Sequence, residues 1–182
     1  MTLRQEIEFL TPALRRFARA LVMVDGQVSA EASDDLVQET LLRALKYELP
    51  AQGLTMRAWI YALLIGINRQ HVRAHAASAG LESGAAHHLL RGNGGRSFGS
   101  RRAPATAMPM GNAALCLQSL DPEEREAYLL VVLESMNYAQ AAQVLGLPRA
   151  TLVARLARAR ASLTAHMGKV TPEGSSHLRL VR

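Results

Sequence analysis

Tyr138 to Arg160, YAQAAQVLGLPRATLVARLARAR, decides the fold. Ala141, Ala142, Val144 and Leu145 give a short first helix a close-packing side. Gly146 supplies the residue that turns with positive φ, and Leu147 plugs the angle before Pro148. From Arg149 a second helix runs to about Ala165, with Leu152, Leu156, Ala159 and Leu163 as its buried stripe. A short helix, a glycine turn and a second helix make a helix-turn-helix. The side opposite the stripe offers Arg149, Arg155, Arg158 and Arg160, the chemistry that phosphate and base edges require. A helical hairpin with a solvated arginine face fits the same periodicity, so spacing alone leaves both readings open.

Upstream, Asp121 or Pro122 starts another helix, with proline in the first turn and Glu123 and Glu124 at its positive end. Tyr128, Leu129, Val131, Val132 and Leu133 are expected to form its apolar side. Ala114, Leu117 and Leu120 open this region, and Cys116 among them reads as a small buried hydrophobe.

The N-terminal third is also helical. Ile7, Leu10, Leu14, Phe17 and Leu21 keep a three-four spacing, and Asp25-Gly26 break it. Ser33 is expected to cap a second helix carrying Asp34, Asp35, Leu36, Val37, Thr40, Leu41, Ala44 and Leu45. After Pro50 and Gly53, Thr55 is expected to cap a third helix from Met56 to about Arg73, with Trp59, Ile60, Leu63, Leu64 and Ile67 on its apolar side.

Between these parts the texture changes. Residues 76–112 are rich in Gly, Ala and Ser, and Arg91, Arg96, Arg101 and Arg102 carry most of their charge. Such composition predicts a flexible basic linker, with one short helical turn over Leu81–Leu90. The tail from Gly168 to Arg182 is expected to be disordered. The division is therefore 1–75, 76–112, 113–167 and 168–182.

Composition sets outer limits. Twenty-one Lys and Arg against fifteen Asp and Glu leave a net charge of +6, which suits phosphate or acidic protein surfaces. Aromatics are 4%, so the core must come from aliphatic residues, which favours helices. The lone cysteine cannot form an internal disulfide. The longest apolar run, Ala58 to Ile67, falls short of the roughly 20 residues that span a bilayer. Met1 to Phe9 carries Glu6 and Glu8 and has no signal-peptide core, so a cytoplasmic location without membrane insertion is expected. His71, His75, His87 and His88 are scattered and show no metal-ligand spacing.

Several stretches resemble the extracytoplasmic-function sigma factors of the sigma-70 family, and in particular those of the general stress response. Leu120-Asp121-Pro122-Glu123-Glu124-Arg125-Glu126-Ala127 resembles the opening of their C-terminal domain. Tyr138 to Leu147 resembles their helix-turn-helix, and Thr151 to Arg160 their recognition helix. Asp34 to Thr40 looks like the helix that docks on the polymerase clamp, and Trp59 to Arg73 like the promoter-melting helix.

The resemblance implies an all-α fold of two small domains joined by a linker. It implies core RNA polymerase, promoter DNA and an anti-sigma factor as partners, with no catalysis, cofactor or metal. Polymerase would meet Asp34, Asp35, Val37, Gln38, Glu39 and Arg43. DNA would meet Trp59, Asn68, Arg69 and Arg73 in the first domain, and Arg149, Thr151, Val153, Arg155 and Arg158 in the second.

The chain departs from the family pattern in two places. Ile65-Gly66 stand where relatives often carry Arg-Asn, and Val153-Ala154 where many carry Lys and Ser. The base-reading face is thinned, which keeps a second reading in play: a sigma-like decoy that binds an anti-sigma factor without reading DNA.

Overall fold

A computed structural model describes residues 3–24, 27–47, 53–78 and 112–167. Helix α1 (Leu3–Leu21) buries Ile7, Leu10, Leu14, Phe17 and Leu21, the stripe its spacing predicts. A ribbon of two short antiparallel strands, β1 (Met23–Val24) and β2 (Gln27–Val28), turns the chain into α2 (Ala30–Tyr47), which returns along α1. Two residues per strand leave the architecture all-α.

α2 begins earlier than Ser33. The cap is Ser29, whose Oγ accepts from the Ala32 amide at 3.2 Å. Ser33 lies buried in the first turn and donates to the Ala30 carbonyl at 2.8 Å. α3 (Met56–Ser78) is capped as expected, with Thr55 Oγ1 accepting from the Ala58 amide at 3.2 Å. It runs past Arg73 and includes Ala76, so the first unit extends beyond residue 75.

The C-terminal half holds α4 (Asn112–Gln118), α5 (Pro122–Tyr128), a π-helical turn (Leu129–Leu133), α6 (Tyr138–Leu145) and α7 (Arg149–Met167). Asp121 stands at the N-cap position of α5 without a side-chain capping bond, and Pro122 opens the helix. The π-turn shifts the register, so that Leu129 and Leu130 point inward and Val132 is half exposed, contrary to the expected apolar side. The linker, its helical turn over Leu81–Leu90, and the tail lie outside the described residues.

The two halves do not stand apart. α3 packs on α6, and α1 on the π-turn. One apolar core takes Leu14, Phe17, Ile60 and Leu64 from the first half and Leu130, Met136, Ala141 and Leu145 from the second. A small satellite, Cys116, Leu120, Ala159 and Leu163, seals α4 onto α7.

Candidate nucleic-acid interface

The helix-turn-helix is built by capping chemistry. Asn137 Oδ1 accepts from the Gln140 amide at 2.9 Å, and the Gln140 side chain accepts from the Asn137 amide at 3.3 Å. At the other end Gly146 takes φ 65°, and the Leu147 amide closes on the Ala142 carbonyl at 2.9 Å. Leu147 is half-buried against the core, as a plug between the helices should be. Leu152, Leu156, Ala159 and Leu163 then anchor α7. Its open side carries Arg149, Val153, Ala154, Ala157, Arg158 and Arg160, with Thr151 half-buried beside them.

Arg155 is not on that side. It follows Leu152 by three residues and precedes Ala159 by four, which places it at the edge of the buried stripe. Its guanidinium is buried against the Glu123 carboxylate at 2.7 Å. Arg158 meets Glu124 at 2.8 Å, but its side chain stays 61% exposed and free to swing outward. The two glutamates at the start of α5 thus neutralise two of the three α7 arginines expected to meet DNA.

On α3 the predicted residues are also unevenly presented. Trp59 is only 7% exposed and belongs to the core. Arg69 forks onto Glu126 of the other half, at 3.0 and 2.5 Å. That bond, foremost, raises the pKa of Arg69 against the lowering effect of burial. Asn68 is half-buried and Arg73 is exposed. At the first departure from the family pattern, Ile65 is buried, and a Cβ added at Gly66 would meet open space.

On α2, Asp34, Asp35 and Gln38 face outward, and Asp34 pairs with Arg15 at 3.7 Å. Glu39 ties to Arg43 at 2.6 Å and to His71 at 2.8 Å, linking α2 to α3. Val37, expected to meet polymerase, is 3% exposed and lies inward with Leu36, Thr40 and Ala44; burial removes it from any partner surface. Leu42, which the sequence reading did not single out, is 60% exposed on the same helix. Its position four after Gln38 and three before exposed Leu45 continues the Asp35–Gln38 stripe, a spacing already visible in the sequence.

The most enclosed polar cluster was also missed. The Glu134 carboxylate is 1% exposed and receives Arg16 at 3.2 Å, Arg57 at 3.3 Å and the Tyr61 hydroxyl. Burial, then the Glu134 carboxylate, push the Tyr61 phenol well above its ordinary pKa, so it stays a neutral donor. Phe17 meets the Tyr61 ring edge-on at 5.1 Å, and the Arg57 guanidinium lies 5.8 Å from its centre. A glutamate beside the apolar run Leu129–Leu133 is the one signal the sequence offers for this site. Among the described residues, no His, Cys, Asp or Glu cluster is arranged to hold a metal, and no helix is long and apolar enough to cross a membrane.

Residues 111–163 match the family "Sigma-70, region 4", and residues 7–65 match "Sigma2 domain of PhyR". The chain is 30% identical over 165 residues to the ECF RNA polymerase sigma factor EcfG of Rhodopseudomonas palustris, covering 90% of this chain and 84% of that one. It is 32% identical over 137 residues to the probable RNA polymerase sigma-C factor of Mycobacterium bovis, covering 74% and 69%. Its fold matches the sigma factor RpoE of Bartonella quintana, solved with the anti-sigma factor NepR, at TM-score 0.68 and 26% identity over 93% of this chain and 98% of that one. The anti-anti-sigma factor PhyR of the same organism shares the fold at TM-score 0.59 and 18% identity, over 91% of this chain and 51% of that one. With a sigma2-type segment followed by a region 4 segment, and a sigma factor aligned over most of its length, the chain belongs to the extracytoplasmic-function RNA polymerase sigma factors.

Proposed function

We propose that this protein binds core RNA polymerase and directs it to promoters, within the general stress response that its sequence resembles. The observation that carries this is the open end of α7: Arg149, Thr151 and Val153 at the start of a helix-turn-helix of the region 4 family. Arg149 and Arg158 supply phosphate contacts, and Val153 meets thymine methyls in the major groove. Asn68 and Arg73 of α3 serve the melted element, with Trp59 and Arg69 joining once exposed. Asp34, Asp35, Gln38, Glu39 and Arg43, extended by Leu42, form the polymerase face. The working modules are 1–75, carried on to the end of α3 at Ser78, and 113–167. The protein acts in the cytoplasm, inserts in no membrane, performs no catalysis and needs no cofactor. An anti-sigma factor holds it inactive, as the complex of RpoE with NepR suggests.

The match of residues 7–65 to the sigma2 domain of PhyR favours one other reading, the decoy. Gel filtration with purified core polymerase separates the two. Co-elution as a stoichiometric complex supports the sigma factor. Absence of any complex, together with tight binding to an anti-sigma factor, supports the decoy.

A further inference from the structure

Glu134 belongs to the C-terminal half, yet the three side chains that hold its carboxylate, Arg16, Arg57 and Tyr61, belong to the N-terminal half. Arg57 also donates to the Glu134 backbone carbonyl at 2.6 Å. A second carboxylate repeats the arrangement: Glu126, 4% exposed, takes Arg69 from α3. The backbone around Glu134 is unusual on both sides. The π-turn precedes it, with the Glu134 amide bonding to the Leu129 carbonyl at 3.1 Å, and Ser135 follows with φ 53°. π-turns and left-handed non-glycine residues are uncommon and gather where a side chain must be aimed. Here they aim a carboxylate across the interface.

We propose that Glu134 is a latch, which closes the C-terminal half on the N-terminal half and, with Glu126, occupies Arg57 and Arg69 so that nucleic-acid phosphate cannot. The physics suits a contact that opens. An ion pair to a buried carboxylate adds little net affinity, because the carboxylate gives up its water and each arginine gives up part of its own. When the halves part, both charges recover that water, whereas an all-apolar seam would gain nothing in return. Phosphate and carboxylate seek the same guanidinium fork, so closure and DNA contact at these arginines exclude each other. The apolar part of the contact, Met136, Ala141 and Leu145 against the N-terminal helices, keeps the closed form the resting one. The DNA arm of this inference rests on the promoter-binding function proposed above; the closure arm does not.

The test places spin labels on the full chain, with Cys116 replaced by serine and cysteines introduced at exposed Glu8 of α1 and exposed Gln143 of α6. The native interface gives one narrow distance distribution. Glu134→Ala adds a population at longer distance. An open fraction raised from about 3% to about 30% strengthens binding of a fluorescein-labelled random-sequence duplex about tenfold, because apparent affinity scales with the competent fraction. If Glu134→Ala fails to fold by circular dichroism, the Arg16→Ala, Arg57→Ala pair decides the closure arm, since both side chains are about half exposed. Unchanged distances in a folded variant overturn the latch. Longer distances without tighter duplex binding by Glu134→Ala overturn the masking of Arg57 and Arg69. A latch that opens as predicted in a protein that forms no complex with core polymerase leaves the latch standing and removes the sigma-factor function instead.

Discussion

Replacing Arg125 with Met is expected to cost about 2–4 kcal/mol of stability. The guanidinium is buried at the junction of three segments. It donates to the carbonyls of Leu117 at 3.0 Å, Gln118 at 3.0 Å and Leu120 at 3.2 Å, and reaches the Leu21 carbonyl at 3.5 Å. Leu117 and Gln118 end α4 and Leu21 ends α1, so one side chain serves backbone carbonyls at two helix ends. Burial lowers the Arg125 pKa, the mark of a charge that has given up water. Methionine preserves the stem and removes every donor. Leu117 and Gln118 are half-buried and regain water, whereas Leu120 and Leu21 are buried and do not. Two unsatisfied carbonyls at about 1–3 kcal/mol each, less the relief of a guanidinium no longer desolvated, give the stated range. With a urea slope of about 2 kcal/mol/M, the midpoint falls by about 1–2 M. Equilibrium urea unfolding followed at 222 nm measures it. Arg125→Lys should lose nearly as much, since an ammonium lacks the fork that spans these carbonyls. A Met variant within about 0.5 kcal/mol of the native protein, the ordinary scatter of surface substitutions, would falsify the capping argument.

Gly66→Ala should stabilise α3 by about 0.5–1 kcal/mol, because the new methyl meets open space and the helix loses a flexible residue; a lowered melting temperature contradicts this. Asn137→Ala breaks the capping box of α6 and should cost about 0.5–2 kcal/mol, read from the same urea curves, whereas an unshifted midpoint would mean the cap contributes nothing. Asp35→Arg combined with Gln38→Ala touches only exposed positions of α2. It should weaken core-polymerase binding at least tenfold, measured by fluorescence titration, with the melting temperature unchanged; native affinity in the folded variant removes this face from the docking surface.

How far the sequence goes depends on the range of the interaction. The stripe Ile7 to Leu21, the stripe Leu152 to Leu163 and the turn at Gly146 are local patterns, and the structure reproduces each. Asp25-Gly26 between Met23-Val24 and Gln27-Val28 also carries hairpin chemistry, although periodicity alone reads it as a break. Arg155 shows where one-dimensional reading fails. A residue at the edge of a buried stripe faces solvent or a neighbour according to what packs there, and here α5 brings Glu123. The pairing of Arg16, Arg57 and Arg69 with Glu134 and Glu126 spans 118, 77 and 57 residues, and no local spacing encodes it. The two helical modules were therefore legible, and their closure on each other was not. The candidate site divides the same way: Arg149 and Val153 lie exposed on α7 with Thr151 half-buried beside them, whereas Trp59, Val37 and Arg155 are buried by tertiary contacts.

Run-off transcription tests the central claim most directly. Core polymerase is incubated with this protein and a library of promoter fragments, and transcripts are sequenced. The account predicts transcripts that begin at defined positions downstream of a shared pair of elements, and that are lost when Arg149 and Val153 are both replaced by aspartate. A library from which no template is transcribed above the level of core polymerase alone contradicts it.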